Sequence, residues 1–524
     1  MAGPRAFFSQ NSSVARYYSS GSSEQPGFLE AEVYARAGAA FGARGATGAP
    51  AAARHQTCAT DHRRCDSPPS LTPIVPARGS SWQVTQPDGS VIEWELLREP
   101  EVDSSDGASL LPVKGEHPRG HSYSASLMSK ALDLVLSANN SFRGAARSLQ
   151  IQGEDAAEGC PSLWSIRNWV LRVGLYELER PKPRTGDWAL ILDHTIQIGP
   201  HKALLVLGVQ LGQLDPKNFA LGHQDMTAFS LEIVEQSNAG KVLETLERIT
   251  EQIGEPRVLV SDAGSDIKKA ASLFCERSSQ TDWVPDVGHR MARLLEAELK
   301  GDPKWESFLS QAAQCRSRCQ QTPLSPWLPP PQRSKARWMN LQPLITWGVK
   351  MTQNPMPAWA EAREFKRLFD WLYEFEEDLG DYWTMMHMGQ ETCRIIKQGG
   401  IGSESLGNCR EMLKEHAGDA RLRRHAAGIR DYLKEAESKL KPGETLLGSS
   451  DIIESVFGKY KFLVERSPQK EITRLILSIG ALTSKRTPEL VRAAMETIKM
   501  ESVANWFKKY VVENARSLRK AAFG

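Results

Sequence analysis

Four short stretches of this chain hold the residues best suited to chemistry. Leu190-Ile-Leu-Asp193-His-Thr and Val258-Leu-Val-Ser-Asp262-Ala-Gly are apolar runs that each end in an aspartate. Pro285-Asp286-Val-Gly-His289-Arg sets an acid three residues before a histidine, and Ser449-Ser-Asp-Ile-Ile-Glu454-Ser-Val-Phe-Gly-Lys places one glutamate in a helical stretch. Carboxylate oxygens are hard ligands that suit Mg²⁺, with water and substrate phosphate completing the shell. Two such ions roughly 4 Å apart can clamp the attacking and leaving oxygens of an in-line phosphoryl displacement. Asp193 would bridge the two ions, with Asp262 on one and Glu454 on the other; Mn²⁺ would serve the same oxygens.

Each residue also has a plainer reading. Asp193 could end a buried strand, and Asp262 could cap the helix that follows it. Asp451 and Glu454 have capping-box spacing. His289 could be a structural histidine at a helix start. At about 100° per residue, Ile452, Ile453, Val456, Phe457, Tyr460 and Leu463 share one apolar arc. Glu454 falls beside that arc, with Gly458 and Lys461 on the same edge, where a carboxylate can reach a metal and Lys461 a phosphate.

The elements that must position these groups follow from pattern. Trp188 to Asp193, Ala203 to Gln210, Phe229 to Glu235, Arg257 to Ser261 and Asp282 to Val287 predict strands. Helices are expected over Lys241–Ile253 and Ile267–Cys275. The spacing between the two aspartates suits three strands and a helix. Upstream, Ala125–Leu136, Phe142–Leu149 and Leu163–Val173 predict three short helices, with Ser141 and Ser162 as start signals and Gly174 as a stop. Three helices with a late basic-aromatic one suit a helix-turn-helix-like unit whose last helix enters the major groove. Arg167, Asn168 and Arg172 would then meet bases or phosphates, and Trp164 and Trp169 would be at least partly core. Beyond Trp305–Cys319, a proline-rich link leads into aromatic and charged stretches of 3.6-residue period. Within them Arg333, Lys335 and Arg337 could bind DNA, with Trp338 stacking on a base.

Taken together, the two strand-end aspartates, the Asp286-x-x-His289 pair and the Ser-Asp-Ile-Ile-Glu-Ser-x-Phe-Gly-Lys phrase resemble the DDE transposases of bacterial insertion sequences. The resemblance spans roughly residues 120 to 510. It implies an α/β RNase H-like catalytic core with a mixed sheet, an all-α insertion between the second aspartate and the glutamate, and an N-terminal helix-turn-helix-like helical domain. It implies catalytic roles for Asp193, Asp262, Glu454 and His289, with Asp286 supporting the site. It also implies two Mg²⁺ ions and DNA partners, both element ends and target, bound by a homo-oligomer. The activity would be cleavage of element ends and joining of the freed 3′-hydroxyl to target DNA. A nuclease of the same fold without strand transfer, or a non-catalytic DNA-binding derivative of a transposase, would share many of these features.

The expected organisation is a disordered or low-complexity stretch over 1–78, a small β-hairpin and linker over 79–119, the helix-turn-helix-like domain over 120–180, the first part of the core over 186–302, the helical insertion over 303–447, and the glutamate helix with a helical tail over 448–524. With 524 residues, several domains are plausible. Hydrophobic content of 40% and charged content of 24% are those of a globular protein. No apolar run approaches the ~20 residues of a membrane span. A net charge of only +2 leaves any DNA contact to local patches. The eight cysteines are scattered, which suits reduced thiols in a cytosol; the resemblance implies a bacterial cytoplasm.

Overall fold

The computed structural model describes the strand pair 81–85 and 91–95, and residues 117–152, 159–198, 201–215, 218–234, 237–332, 337–353, 362–414, 419–465 and 472–510. The low-complexity stretch, the Asp88-Gly89 turn, the acidic connection over 153–158, and Arg333 and Lys335 lie outside these residues. Strands β1 (Ser81–Thr85) and β2 (Val91–Glu95) pair antiparallel with Trp82 opposite Trp94, as the alternating pattern predicts. They belong to a compact unit separate from the one that begins at Ala108.

The second unit is built on a mixed five-stranded sheet of β3 (Trp188–Ile198), β4 (His201–Gln210), β5 (Thr227–Val234), β6 (Val258–Ser261) and β7 (Asp282–Pro285). The order is β5-β4-β3-β6-β7. The β3–β4 and β4–β5 pairs are antiparallel, whereas β3–β6 and β6–β7 are parallel. This arrangement is consistent with an RNase H-like core. The central strands are apolar on both faces because both faces are covered. On one face, Leu190, Leu192, Val206 and Leu259 meet α4 (Ala239–Ile253) and α5 (Ser265–Arg277), through Leu246, Ile249, Ile267 and Phe274. On the other, Ala189, Ile191, Val258 and Val260 share a core with the upstream helices and with α13 (Asp451–Glu465).

The upstream helices are α1 (Ala125–Leu136), α2 (Phe142–Gln152) and α3 (Leu163–Glu179), capped by Ser124, Ser141 and Ser162. Helix α3 does not stop at Gly174. It continues to Glu179, and Gly174 packs against α14 (Ser478–Thr483) and the turn before it. A Cβ built at Gly174 would lie 1.8 Å from the Leu477 carbonyl oxygen, and one at Gly480 would lie 2.4 Å from the Gly174 carbonyl oxygen. Glycine serves here to let two backbones meet, a demand that sequence pattern alone does not distinguish from a helix stop. These helices therefore share the core of the sheet and of the C-terminal helices α14, α15 (Pro488–Thr497) and α16 (Met500–Tyr510).

After β7 come α6 (Val287–Leu299) and α7 (Pro303–Cys319), then α8 (Gln342–Gln353), α9 (Ala362–Phe369), α10 (Glu376–Gly399), α11 (Ser403–Lys414) and α12 (Ala420–Glu437). Among the described residues, the elements between α7 and Glu454 are thus all helical. Its own aromatic core gathers Trp305, Phe308, Phe369, Phe375 and Tyr382, with Cys315 and Cys319 buried on one side of α7. Among the described residues no helix is long and apolar enough to cross a membrane.

Candidate functional site

The sheet register brings the two aspartates together. Ala189 pairs with Val258, Ile191 with Val260 and Leu192 with Ser261. Side chains alternate along a strand, so Asp193 follows Ala189 and Ile191 on one face, and Asp262 continues the face of Val258 and Val260. Asp262 directly follows β6, whereas Asp193 does not end its strand as the apolar run predicts: β3 continues to Ile198 against β4, and only its parallel pairing with β6 stops at Leu192, so Asp193 is the first residue past that seam. Asp193 pairs with Leu205 across to β4. Its Oδ1 accepts from the His194 backbone N–H at 2.6 Å.

Asp262 is fixed by a local turn. Its Oδ1 accepts from the Gly264 N–H at 2.9 Å, and Ala263 between them has a φ of +59°. A non-glycine residue in the left-handed region costs energy, and such strain collects where a side chain must be aimed. Glu454 sits in the first turn of α13, whose apolar arc is buried as its period predicts: Ile453 and Val456 are fully buried, with Ile452, Phe457 and Tyr460 nearly so. Asp451 does not join Glu454 in a capping box. It ion-pairs instead with Lys397 of α10, while Glu454 Oε1 lies 3.8 Å from His289 Nε2.

Asp286 and His289 form the brace of this cluster. Asp286 is 1% exposed and caps α6. Its Oδ1 accepts from the His289 N–H at 2.7 Å and lies 3.0 Å from His289 Nδ1, while Oδ2 accepts from the Ser450 N–H at 2.7 Å. One carboxylate thus orients the histidine and pins the start of the glutamate helix. The Val287 N–H donates to the Gly448 carbonyl beside it.

The electrostatics are unbalanced. Burial pushes the Asp193 carboxyl up to about 7, and the nearby Asp262 and Glu454 carboxylates add to the shift against the His194 N–H and His289. Burial also raises Glu454, opposed by His289. The hydrogen bond to Asp286 lifts the His289 imidazole to about 9. Burial acts to raise Asp286, yet its bonds from His289 and Ser450 hold it below the ordinary carboxylate range. An imidazolium therefore faces a group of acids that repel one another. A cation among Asp193, Asp262 and Glu454 would relieve that repulsion. The oxygen-only donor set fits a hard divalent ion in type and charge. Among the described residues no three His, Cys, Asp or Glu side chains form a preassembled metal cluster, so substrate oxygens and water would have to complete the shell. A cavity of about 200 Å³ opens beside Asp262, Asp286 and His289, and Lys268, Arg290 and Arg293 line its wall.

The expected DNA contacts fare differently. Arg172 is turned inward: its guanidinium donates to the carbonyls of Ile498, at 2.5 Å, and Met495, and it meets His121. It ties α3 to the end of α15 and stays only partly exposed. Arg167 and Asn168 are half-buried, with Arg167 stacked over Trp164 at 6.0 Å from the ring centroid. Trp169 is core as expected, but Trp164 is 64% exposed. Lys461 is half-buried on α13, and a Cβ at Gly458 would meet only open space. Trp338 lines a cavity of about 430 Å³ with Met291, Met385, Met386 and Lys397. Arg337 opens a short 3₁₀ turn, Arg337–Met339. The residue that sequence reading missed is Lys397. It lies more than fifty residues from Asp451, and no local signal joins the two.

No family model matches this chain, and no curated protein matches it. Among solved structures, a similar one is the "Drosophila P element transposase strand transfer complex". The likeness has a TM-score of 0.39 at 10% identity and covers 70% of this chain and 93% of that one. A likeness so low leaves the functional reading to the residues of this chain.

Proposed function

We propose that this chain is a DDE-type DNA transposase, with Asp193, Asp262 and Glu454 as its metal-binding carboxylates. One observation carries the reading: two aspartates stand side by side on one sheet face just past the parallel seam of β3 and β6, and a glutamate on a separate helix acts on Asp193 electrostatically. Such mutually repelling acids are costly to keep and serve little structural purpose, so they mark a functional site. The bound ions would supply a nucleophile at neutral pH and charge stabilisation for an in-line displacement at phosphorus. Asp193 would touch both ions, and Asp262 and Glu454 one each. His289, oriented by Asp286, would present its Nε2 proton to a phosphate oxygen. Lys268, Arg290 and Arg293 would hold the phosphodiester backbone beside it.

The same site would serve hydrolysis that frees a 3′-hydroxyl and the attack of that hydroxyl on target DNA. The test is a cleavage-and-joining assay with DNA from the flanks of the gene, in Mg²⁺ and in Mn²⁺. Wild-type protein should nick the ends and yield joined products. Asp193→Ala should lose both activities by roughly 10³-fold or more, because a metal contributes several kcal/mol to the transition state. Nicking without joined products would favour a nuclease on the same fold. DNA binding without nicking would favour a non-catalytic derivative.

A further inference from the structure

The surface of the chain is rich in cations that already have partners. Arg277 pairs with Glu247 at 2.7 Å, Lys300 with Glu296 at 3.0 Å, Lys304 with Asp378 at 2.7 Å, and Arg410 with Glu437 at 2.5 Å. One group stands apart. Helix α9 carries Arg363, Lys366 and Arg367 at spacing i, i+3, i+4, which sets them on one helix face. Helix α7 carries Gln311, Gln314 and Arg318 at i, i+3, i+7, again one face. These two faces line a single cleft of about 450 Å³, with Asp370 the one acid among its described lining residues. Arg318, Arg363, Lys366 and Arg367 are all exposed, and none forms an ion pair with the described residues.

Crowding like charges costs energy unless a counter-charge arrives. In a chain of net charge +2, four cations in one concavity that form no ion pair with the described residues, against one aspartate, are a local field rather than an average property. Beneath them the helices are rigidly held: Phe365, Leu368 and Phe369 of α9 pack with Phe308, Ala312 and Cys315 of α7 in the aromatic core of the insertion. Guanidinium groups on a fixed scaffold, flanked by glutamine amides, suit phosphate oxygens.

We propose that this cleft is a binding site for the phosphate backbone of duplex DNA, separate from the carboxylate site. The assignment rests on the DNA reading above but not on the catalytic one. It places a second hold on the substrate in the helical insertion, where the backbone is gripped without sequence readout.

The test measures binding of a generic duplex to the full chain by fluorescence anisotropy, in EDTA, across a salt series. The triple variant Arg318→Gln/Lys366→Gln/Arg367→Gln should flatten the plot of log K against log salt by about 2 to 3, since each phosphate contact contributes about 0.9. Affinity should fall on the order of 10²-fold at about 0.1 M salt. The charge-preserving set Arg318→Lys/Lys366→Arg/Arg367→Lys should keep the slope. An Arg277→Gln/Lys300→Gln/Arg410→Gln control removes the same charge elsewhere and should also keep it. An unchanged slope in the cleft variant, or equal flattening in the control, overturns the assignment. So does calorimetric binding of inorganic triphosphate that the cleft variant abolishes while its duplex slope stays intact, which would make the cleft a free-polyphosphate site. Wild-type protein that binds duplex in EDTA yet never cleaves the flanking-end DNA with Mg²⁺ would sink the transposase reading and leave the cleft standing. Cleaving wild type with an indifferent cleft variant would do the reverse.

Discussion

The two ends of strands β6 and β7 carry opposite electrostatic arrangements. At the start of β6, Arg257 is 5% exposed, and its guanidinium is fully engaged: Glu444 at 2.6 Å on both Nε and Nη2, Asp282 at 2.7 Å, and the Lys439 carbonyl at 2.7 Å. At the finish of the same strands, Asp193, Asp262 and Glu454 gather with one imidazolium at 3.8 Å from the nearest of them. The first cluster is closed, with every donor matched. The second is left open, with negative charge in excess. A buried charge is kept cheaply only when it is paired. The closed cluster therefore serves the fold, and the open one is the arrangement that the proposed function would account for.

This contrast can be broken at either end. Arg257→Met strands two partly exposed carboxylates, so the loss should approach but not exceed about 3–5 kcal/mol, the cost of breaking a wholly buried pair. Chemical denaturation should show that loss, whereas Asp193→Asn in metal-free buffer should unfold no earlier than wild type. Equal destabilisation by the two variants would mean that the aspartate cluster is structural. Glu444 lies in the segment that leads to α13, so Arg257→Met should also lower DNA cleavage by displacing Glu454.

The next effect is smaller. A divalent ion that binds only the folded chain stabilises it by about 2.7 kcal/mol at a hundred times its dissociation constant. Mg²⁺ should therefore raise the melting temperature of the wild type and leave an Asp193→Asn/Asp262→Asn double variant unmoved. Equal shifts in both proteins would place the ion elsewhere.

The smallest concerns Arg172, a second closed charge. Its guanidinium satisfies carbonyls at the end of α15, and hydrogen bonds to charged groups contribute about 1.5–3 kcal/mol. Arg172→Met should destabilise the fold by that order and leave the salt slope of DNA binding unchanged. A flattened slope with unaltered stability would restore Arg172 as a phosphate contact.

Much of this molecule was legible in its sequence, for local reasons. Val- and Leu-rich runs ending in Asp193 and Asp262 must be strands buried on both faces, and the parity of the strand sends both acids to one side. The 3.6-residue arc of Ile453, Val456, Phe457 and Tyr460 fixed the face of α13 and left Glu454 at its edge. The errors came where one local signal had two physical causes. Gly174 looked like a helix stop and is instead a point of backbone contact between α3 and the Leu477–Gly480 turn. Trp164 looked like a core residue and is exposed, and Arg172, expected at DNA, turns its guanidinium to carbonyls of the C-terminal helices. Residue type on a helix does not say which neighbour will cover it.

What the residues determine by themselves is therefore the set of elements and the chemical kind of the cluster: carboxylates on neighbouring strands, an aspartate-braced histidine, and an acid on a helix. Tertiary structure alone decided which charges are matched. Arg257 found Glu444, Asp451 found Lys397, and Arg172 found two carbonyls, all across long stretches of chain, while Asp193, Asp262 and Glu454 were left facing one another. Secondary structure is a local preference that short windows of sequence can express. Charge pairing depends on which surfaces the packed core brings within a few ångströms, and that is settled only when the whole chain has folded.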